Sequence, residues 1–159
     1  MTVYAPGRTT VLRMISQGLH HPTALAFDSS GNLFVANLND KTVTVYAPGM
    51  SSILRTIRQG VNGPRALAFD SSGNLYVANC DSSCLNRTGG ATVTVYAPDH
   101  NNVARTISQG INQPAALAVG GHGDLYVANF GAEGSPSYYS TVTVYALEII
   151  MSCVRSRKV

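Results

Sequence analysis

Apolar and polar positions alternate along the chain in a pattern that predicts short strands joined by tight turns. The sequences Ala-Leu-Ala-Phe at 66–69 and Leu-Tyr-Val-Ala at 75–78 fit the two-residue period of a β-strand. Between them, Asp-Ser-Ser-Gly-Asn at 70–74 is a cluster of turn-forming residues. This stretch therefore predicts a β-hairpin, and no stretch of a dozen residues has the spacing of an amphipathic helix.

The hairpin occurs three times, in units that begin near Pro22, Pro64 and Pro114. Two further apolar segments complete the middle unit, and its predicted strands span 65–70, 75–79, 92–97 and 103–108. Four strands in a repeat of about 42–50 residues predict an all-β fold of β-propeller blades, each made of four antiparallel strands.

The chain supplies about three such blades, over residues 1–146. Residues 2–16 give third and fourth strands that complete a blade, and the last unit gives first, second and third strands. Closed propellers have about four to eight blades. We therefore expect half of a six-bladed ring, completed by self-association, or a fragment of a larger propeller. Residues 147–159 leave the repeat and form a basic tail.

Composition narrows the class of partner. Hydrophobic residues make up 45% of the chain and charged residues 12%, as in a folded domain, and no segment approaches the ~20 consecutive apolar residues of a membrane span. The net charge is +3, but lysine occurs only twice, which is too little for a phosphate-binding surface. We expect neither nucleic acid nor membrane as the partner. Because the chain opens inside a repeat, the missing leader sequence does not fix its compartment.

Three segments of the middle unit, at 64–70, 73–79 and 92–96, resemble the NHL repeat of β-propeller proteins. They are also similar to the wider six-bladed group that contains gluconolactonase-like and streptogramin-lyase-like enzymes. The resemblance covers roughly residues 2–146 and implies a propeller that binds a partner, but no single activity. Two features depart from the repeat: Asn replaces a frequent Asp at the end of each second strand, and the third unit has Gly-Gly-His-Gly-Asp at 120–124.

Strand order sorts the loops into two faces. The connections between second and third strands (38–41, 80–91 and 130–140) share one face with the loops between blades (19–21, 61–63 and 111–113), and we call it the variable face because these sequences differ. The remaining turns are nearly identical between units and form the constant face. Since function concentrates on loops held by a rigid frame, we expect recognition on the variable face.

The candidate binding residues of the variable face are Asn37, Asn79, Asn129, His20, His21, Asn62, Asn112, Gln113, Tyr138 and Tyr139. The three asparagines that end second strands either form a ring of amides around a central mouth, where a polar ligand, Ca²⁺ or Mg²⁺ would bind, or cap their own loops. Their repetition in every unit favours capping. Tyr138 and Tyr139, with Phe130, form either a contact patch or a cover over the blade edge.

The four histidines give little indication of a metal or catalytic site. His20 and His21 lie on the variable face, whereas His100 and His122 lie on the constant face, so no metal site or catalytic residue is predicted; a lone histidine base is the less favoured interpretation.

Cys80 and Cys84 in the second insertion form either a local disulfide, which fits a secreted protein, or two free thiols. The same loop holds a formal glycosylation sequon at 86–88, and Cys153 lies in the tail.

These patterns favour a non-enzymatic binding scaffold for a protein or carbohydrate partner. The alternative is a lactone hydrolase or lyase of the gluconolactonase-like type, or a fragment of one, with Ca²⁺ or Mg²⁺ near the central mouth. The variable face carries only Asp40, Asp81 and Glu133 as acidic residues, too few to indicate a catalytic carboxylate pair.

Overall fold

The computed structural model describes residues 1–85, 90–130 and 140–146. Its strands are β1 Thr2–Tyr4, β2 Val11–Met14, β3 Pro22–Phe27, β4 Leu33–Asn37, β5 Thr42–Tyr46, β6 Ile53–Ile57, β7 Pro64–Phe69, β8 Leu75–Asn79, β9 Thr92–Tyr96, β10 Val103–Ile107, β11 Pro114–Val119, β12 Leu125–Asn129 and β13 Thr141–Tyr145. One helical turn, α1 Ser82–Leu85, follows β8. Within this part of the chain no helix has the length and apolar character needed to cross a membrane.

The strands form successive antiparallel sheets, as predicted for propeller blades. The first blade is β3-β4-β5-β6 and the second is β7-β8-β9-β10. A third sheet, β11-β12-β13, contains the first three strands of another blade, and the two-stranded sheet β1-β2 corresponds to the outer half of a blade that precedes the first. The prediction of an all-β fold with four-stranded blades is confirmed.

Observed strand ends differ from the predicted ones by one or two residues, and the turn chemistry explains one of them. The second hairpin ends β7 at Phe69 because the Asp70 side chain starts the turn: its Oδ1 accepts the backbone N–H groups of Ser72 and Asn74, both at 2.9 Å. The first hairpin uses Asp28 in the same way. These turns lie on the constant face.

Blades pack face to face through apolar side chains that alternate along the strands. Between the first and second blades, Phe34 and Val45 lie in one buried cluster with Leu75 and Val77. The rings of Phe34 and Phe69 meet edge to face with centroids 4.9 Å apart. A corresponding cluster joins the second and third blades. The two junctions therefore use equivalent strand positions, with Val119 at the second junction in place of Phe69.

The two ends of this arc leave apolar side chains uncovered. Leu67 at an internal junction is 9% exposed, whereas Leu25, its equivalent in the first blade, is 53% exposed. At the other end Val142 and Val144 of β13 are exposed, although the equivalent valines of the first two blades are buried. The difference arises because the described sheet before the first blade has only the outer strands β1 and β2, and no described blade follows the third.

Candidate functional site

A repeated set of hydrogen bonds fixes the loops between blades on the variable face. In the second blade, the Asn79 Oδ1 accepts the Asn62 backbone N–H at 2.9 Å, and its Nδ2 donates to the Gly60 carbonyl at 3.1 Å. The Thr94 hydroxyl donates to the same carbonyl at 2.9 Å, and the Tyr96 hydroxyl donates to the Gln59 carbonyl at 2.6 Å. We call this set of Asn, Thr and Tyr a clasp.

Equivalent clasps occur in the other two blades. Their side chains are Asn37, Thr44 and Tyr46 in the first blade, and Asn129, Thr143 and Tyr145 in the third. Each clasp binds a Gln-Gly segment that ends the preceding blade, so it ties a loop of the variable face to the frame. The asparagines join the loop before the blade rather than only their own following loop.

The clasp geometry bears on the two interpretations of the repeated asparagines. Asn37 has no exposed surface, and Asn79 and Asn129 are also buried. In Asn37, as in the others, the amide Nδ2 donates within the blade, to the Thr44 hydroxyl at 3.0 Å. A buried amide with these partners positions a loop, and this arrangement favours the structural role over a ring of ligand-binding amides.

Four tyrosines, the three of the clasps and Tyr76 in the core, have a raised pKa because burial disfavours the charged form. Burial raises the pKa of Tyr96 to about 12. Burial, followed by the nearby Asp70 carboxylate, raises the pKa of Tyr76 to about 12. Burial also raises the pKa of Tyr46 and Tyr145. Each of these hydroxyls stays protonated in the folded state after the unfolded chain has begun to ionise.

We expect this difference to produce alkaline unfolding between pH 10 and pH 12. Below pH 10 both states keep the tyrosine proton, so the contribution to stability is complete. Above it the unfolded state ionises first, so the stability that depends on the protonated hydroxyls of Tyr76 and Tyr96 is lost as the pH rises towards their folded-state pKa of about 12. Urea unfolding followed by circular dichroism at increasing pH measures this loss.

Tyr96→Phe removes one of the responsible hydroxyls and should make the alkaline loss of stability shallower. At neutral pH the same substitution should lower the free energy of unfolding by about 1 kcal/mol, since it removes the hydrogen bond to the Gln59 carbonyl. Tyr4→Phe is the matched control because Tyr4 is exposed at the end of the arc. An alkaline profile identical in Tyr96→Phe and the unmodified chain would contradict this explanation.

The residue before the first proline of each blade has a left-handed backbone. His21 has a φ of 57°, Gly63 of 65° and Gln113 of 47°. In each case the carbonyl of this residue accepts the backbone N–H of the residue that follows the clasp asparagine. Glycine adopts this conformation freely, whereas other residues pay about 1–2 kcal/mol. The first and third blades therefore display His and Gln side chains at an energetically unfavourable position.

Polar side chains of the variable face form pairs above the clasps. The His20 Nδ1 lies 2.7 Å from the Asp40 Oδ2, and the Asn62 Nδ2 donates to the Asp81 Oδ2 at 2.8 Å. Lys41 of the first blade lies 4.0 Å from the same Asp81 oxygen. These pairs bring together the inter-blade loops and the connections after second strands, as the predicted division into faces requires.

The second insertion begins with a covalent link. The sulfurs of Cys80 and Cys84 are bonded, and the Cα atoms of the two residues are 5.2 Å apart. The Asp81 Oδ1 accepts the Cys84 N–H at 3.2 Å, and the Arg65 Nε donates to the Cys80 carbonyl at 3.2 Å. Of the two alternatives for these cysteines, the structure contains the disulfide.

Several predicted features lie outside the described residues: Tyr138, Tyr139, Glu133, the sequon at 86–88, Cys153 and the tail 147–159. Phe130, the last described residue before the third insertion, is exposed. His100 lies on the constant face and its Nδ1 contacts the Pro98 carbonyl at 2.7 Å, far in sequence from His20 and His21.

The residues whose carbonyls accept the clasp hydrogen bonds were not predicted from the sequence. The Gln-Gly pairs at 17–18, 59–60 and 109–110 precede each inter-blade loop, and their strict repetition was the available signal. Their carbonyls, not their side chains, accept the clasp bonds. The pairing of Lys41 with Asp81 across two blades carried no sequence signal.

The constant face has a small cavity between the first two blades. A cavity of about 70 Å³ lies between the first two blades on the constant face, lined by residues that include Asp28, Arg55, Asp99 and His100. It is smaller than the ~300–1,000 Å³ of typical ligand pockets. Among the residues that the structure describes, no three of His, Cys, Asp or Glu are grouped as metal ligands.

No protein-family model matches the chain, and no curated protein matches it. Solved structures do match. Hydrazine synthase of Kuenenia stuttgartiensis gives a TM-score of 0.64 at 21% identity, over 91% of this chain and 36% of that one. The WD40 β-propeller domain of Doa1 gives 0.65 at 16% identity, over 87% of this chain and 41% of that one.

The computationally designed Ika4 protein gives a TM-score of 0.60 at 20% identity, over 87% of this chain and 74% of that one. This chain thus spans less than half of the first two structures. At these identities the similarities report fold alone. Together with the four-stranded antiparallel sheets, they show that the chain is an array of β-propeller blades.

Proposed function

We propose that the chain is an NHL-repeat-like propeller segment that acts as a binding scaffold and engages a protein or carbohydrate partner through its variable face. The observation that carries this proposal is the repeated clasp. Buried Asn, Thr and Tyr side chains hold each inter-blade loop by backbone carbonyls and N–H groups, so the loop side chains are left to vary without loss of the frame.

The left-handed residues support a role for His21 and Gln113. Gly63 occupies the equivalent position in the second blade, where an added Cβ would lie 2.7 Å from the Asp81 backbone. Blades one and three keep a side chain at this position despite its backbone cost. Residues held in unfavourable conformations are frequent at functional sites, so we assign His21 and Gln113 to the recognition surface.

The neighbouring side chains suit a polar partner with some apolar surface. His20 and Asp40 present an exposed hydrogen-bonding pair, Asn62 and Asn112 lie at equivalent positions in the next two loops, and Phe130 presents an exposed ring. Such mixtures of amide, carboxylate and aromatic groups recognise both peptides and sugars. The disulfide at the start of the second insertion supports a secreted setting.

The metal-dependent enzyme remains the alternative, but no specific observation favours it. A resident Ca²⁺ or Mg²⁺ would need several oxygen ligands converging on one point. The described side chains near the variable face provide instead separated pairs, His20 with Asp40 and Asn62 with Asp81. These residues do not fit such an ion, and no catalytic step is derived from one.

Glycine substitutions test the scaffold proposal without disturbing the fold. The unmodified chain is first applied to an array of immobilised glycans and to a displayed random-peptide library, which identifies the bound class. We expect His21→Gly and Gln113→Gly to weaken binding of the selected probe at least tenfold, equivalent to ~1.4 kcal/mol. Their free energies of unfolding should change by no more than about 1 kcal/mol, since glycine tolerates this backbone.

Asp99→Gly provides the matched control. Asp99 also has a left-handed backbone, with a φ of 58°, but lies in a turn of the constant face. The Asp99→Gly variant should bind the probe with the same affinity as the unmodified chain. Absence of any bound glycan or peptide, or equal loss of binding in all three variants, would contradict recognition by the variable face.

A further inference from the structure

Both ends of the arc carry exposed apolar side chains. Leu25 and Phe27 of β3 lie at one end, and Phe27 is 65% exposed. Ala116, Ala118 and Tyr126 of β11 and β12 lie at the other end, and Tyr126 is 38% exposed. All five side chains are uncharged, so covering them would bury no ion.

An internal junction shows what such faces bind. Where the first and second blades meet, Phe69 of β7 packs edge to face against Phe34 of β4. By repeat position, Phe27 is the first-blade equivalent of Phe69, and Tyr126 is the third-blade equivalent of Phe34. The two ends of the chain therefore carry the two complementary halves of one junction.

A groove beside β3 marks the position of missing inner strands. β1 and β2 are outer strands of their blade, and the groove has a volume of about 480 Å³ lined by Met1, Pro22, Thr23, Ala24 and Leu25. Inside the arc, β3 packs against β7, and β7 packs against β11. At the internal junctions the first two strands of the preceding blade fill the equivalent space: β3 and β4 lie against β7, and β7 and β8 lie against β11. The strands at the same position in the third blade are β11 and β12, and no described blade follows them.

We propose that a second copy of this chain covers these ends. β11 of one copy packs beside β3 of the other, so that Phe27 contacts Ala118 and Tyr126 of the second copy. Two copies joined head to tail by two such seams close a ring of six blades. This association uses the ends of the arc, so it is independent of the ligand on the variable face.

Ring closure requires one strand to be displaced, because both β1 and β13 are the third strand of a blade and the composite blade has room for only one of them. β13 has five residues and is held to its own chain by Thr143 and Tyr145, whereas β1 has three residues. Val144 is the repeat equivalent of Val3, which packs on the core of the first blade. β13 of one copy therefore pairs with β2 of the other in place of β1.

The exposed apolar side chains at the ends supply much of the area that a stable interface buries. A fully covered aromatic side chain buries about 150–250 Å², so Phe27 and Tyr126 together offer roughly 200 Å² at one seam at their exposures. Leu25 and the exposed valines of β13 add to each seam, and a two-copy ring has two seams. The total is on the order of the 1,200 Å² at which specific interfaces begin.

Light scattering after size exclusion tests the ring on the full 159-residue chain. The expected mass is twice the 16.8 kDa of one chain. Phe27→Glu and Ala118→Arg should each reduce the mass to one chain, because each spoils both seams of a homodimer. Both positions are exposed in the single copy, so circular dichroism should report unchanged strand content. If either variant fails to fold, Leu25→Asp or Tyr126→Asp replaces it.

An equimolar mixture of Phe27→Glu and Ala118→Arg gives the sharper readout. One seam of the mixed pair is unmodified and the other places Glu against Arg, so the mass should return to two chains. Leu54→Glu is the control, since Leu54 is similarly exposed but lies on β6, the strand of the first blade that is farthest from β3 in the sheet. The Leu54→Glu variant should keep a mass of two chains by light scattering.

Any of five results would overturn the proposal. The first four are an unmodified chain of single mass, an unmodified assembly larger than two chains, a dimer that neither substitution breaks, and a mixture that stays at single mass. A dimer broken by only one of the two substitutions would also overturn it, since that would mean that one end pairs with itself.

Discussion

Changing Asn79 to alanine is expected to lower the free energy of unfolding by about 3 kcal/mol, one of the two largest effects that the structure predicts. The side chain is 4% exposed, and its amide joins the Asn62 N–H, the Gly60 carbonyl and the Thr94 hydroxyl. Alanine leaves the Asn62 N–H without its acceptor and opens a void beside it. Since small domains are stable by only about 5–15 kcal/mol, this one substitution removes a large fraction.

Urea unfolding monitored by circular dichroism measures the effect. Asn102→Ala is the matched control because Asn102 is exposed in a turn of the constant face, and it should change stability by no more than about 0.5 kcal/mol. Should Asn79→Ala cost no more than the control, the asparagine would not be a structural clasp, and the ligand-binding interpretation of the repeated amides would regain support.

Gly63→Ala is expected to cost about 3–4 kcal/mol, from two separate causes. The backbone φ of 65° disfavours any residue with a Cβ by about 1–2 kcal/mol. In addition, the new Cβ would lie 2.7 Å from both the N and Cα atoms of Asp81 and 2.8 Å from the Cys80 carbonyl oxygen. These are backbone atoms at the start of the disulfide loop, and moving them would break the hydrogen bond from the Cys80 N–H to the Gly63 carbonyl.

Gly7→Ala separates the two causes. Gly7 has nearly the same φ, 67°, but an added Cβ there meets no atom within 4 Å. Thermal and urea unfolding of both variants should therefore show a loss of about 1 kcal/mol for Gly7→Ala and a loss larger by ~2 kcal/mol for Gly63→Ala. Equal losses would mean that the disulfide loop moves aside without cost.

The blades were predictable from the sequence because their signals are local. Alternation along β7 and β8 and the Asp70 turn between them lie within 64–79, and three copies of this pattern identify the repeat. The alternation does not show where a strand ends, since the Asp70 side chain decides that through its own hydrogen bonds.

The clasps were less accessible because their partners are distant in sequence. Tyr96 donates to a carbonyl 37 residues earlier, and a carbonyl leaves no mark on residue identity. The left-handed backbones of His21 and Gln113 were equally hidden, because neither position is a glycine. The sequence identified both residues as candidates from their place on the variable face alone.

Every clasp bonds the segment before its blade only through main-chain groups, two carbonyls and one N–H, and this has a consequence for how many blades such a chain contains. Each clasp binds main-chain groups of the preceding blade, and every copy of the repeat has these groups. A clasp could therefore form between any two copies of the repeat. Each junction couples only adjacent units, as in other linear repeat arrays. Duplication or deletion of a whole unit would preserve the clasp bonds at each remaining junction. The clasps therefore place no limit on the number of blades, which depends on the count of copies and on what covers the two ends.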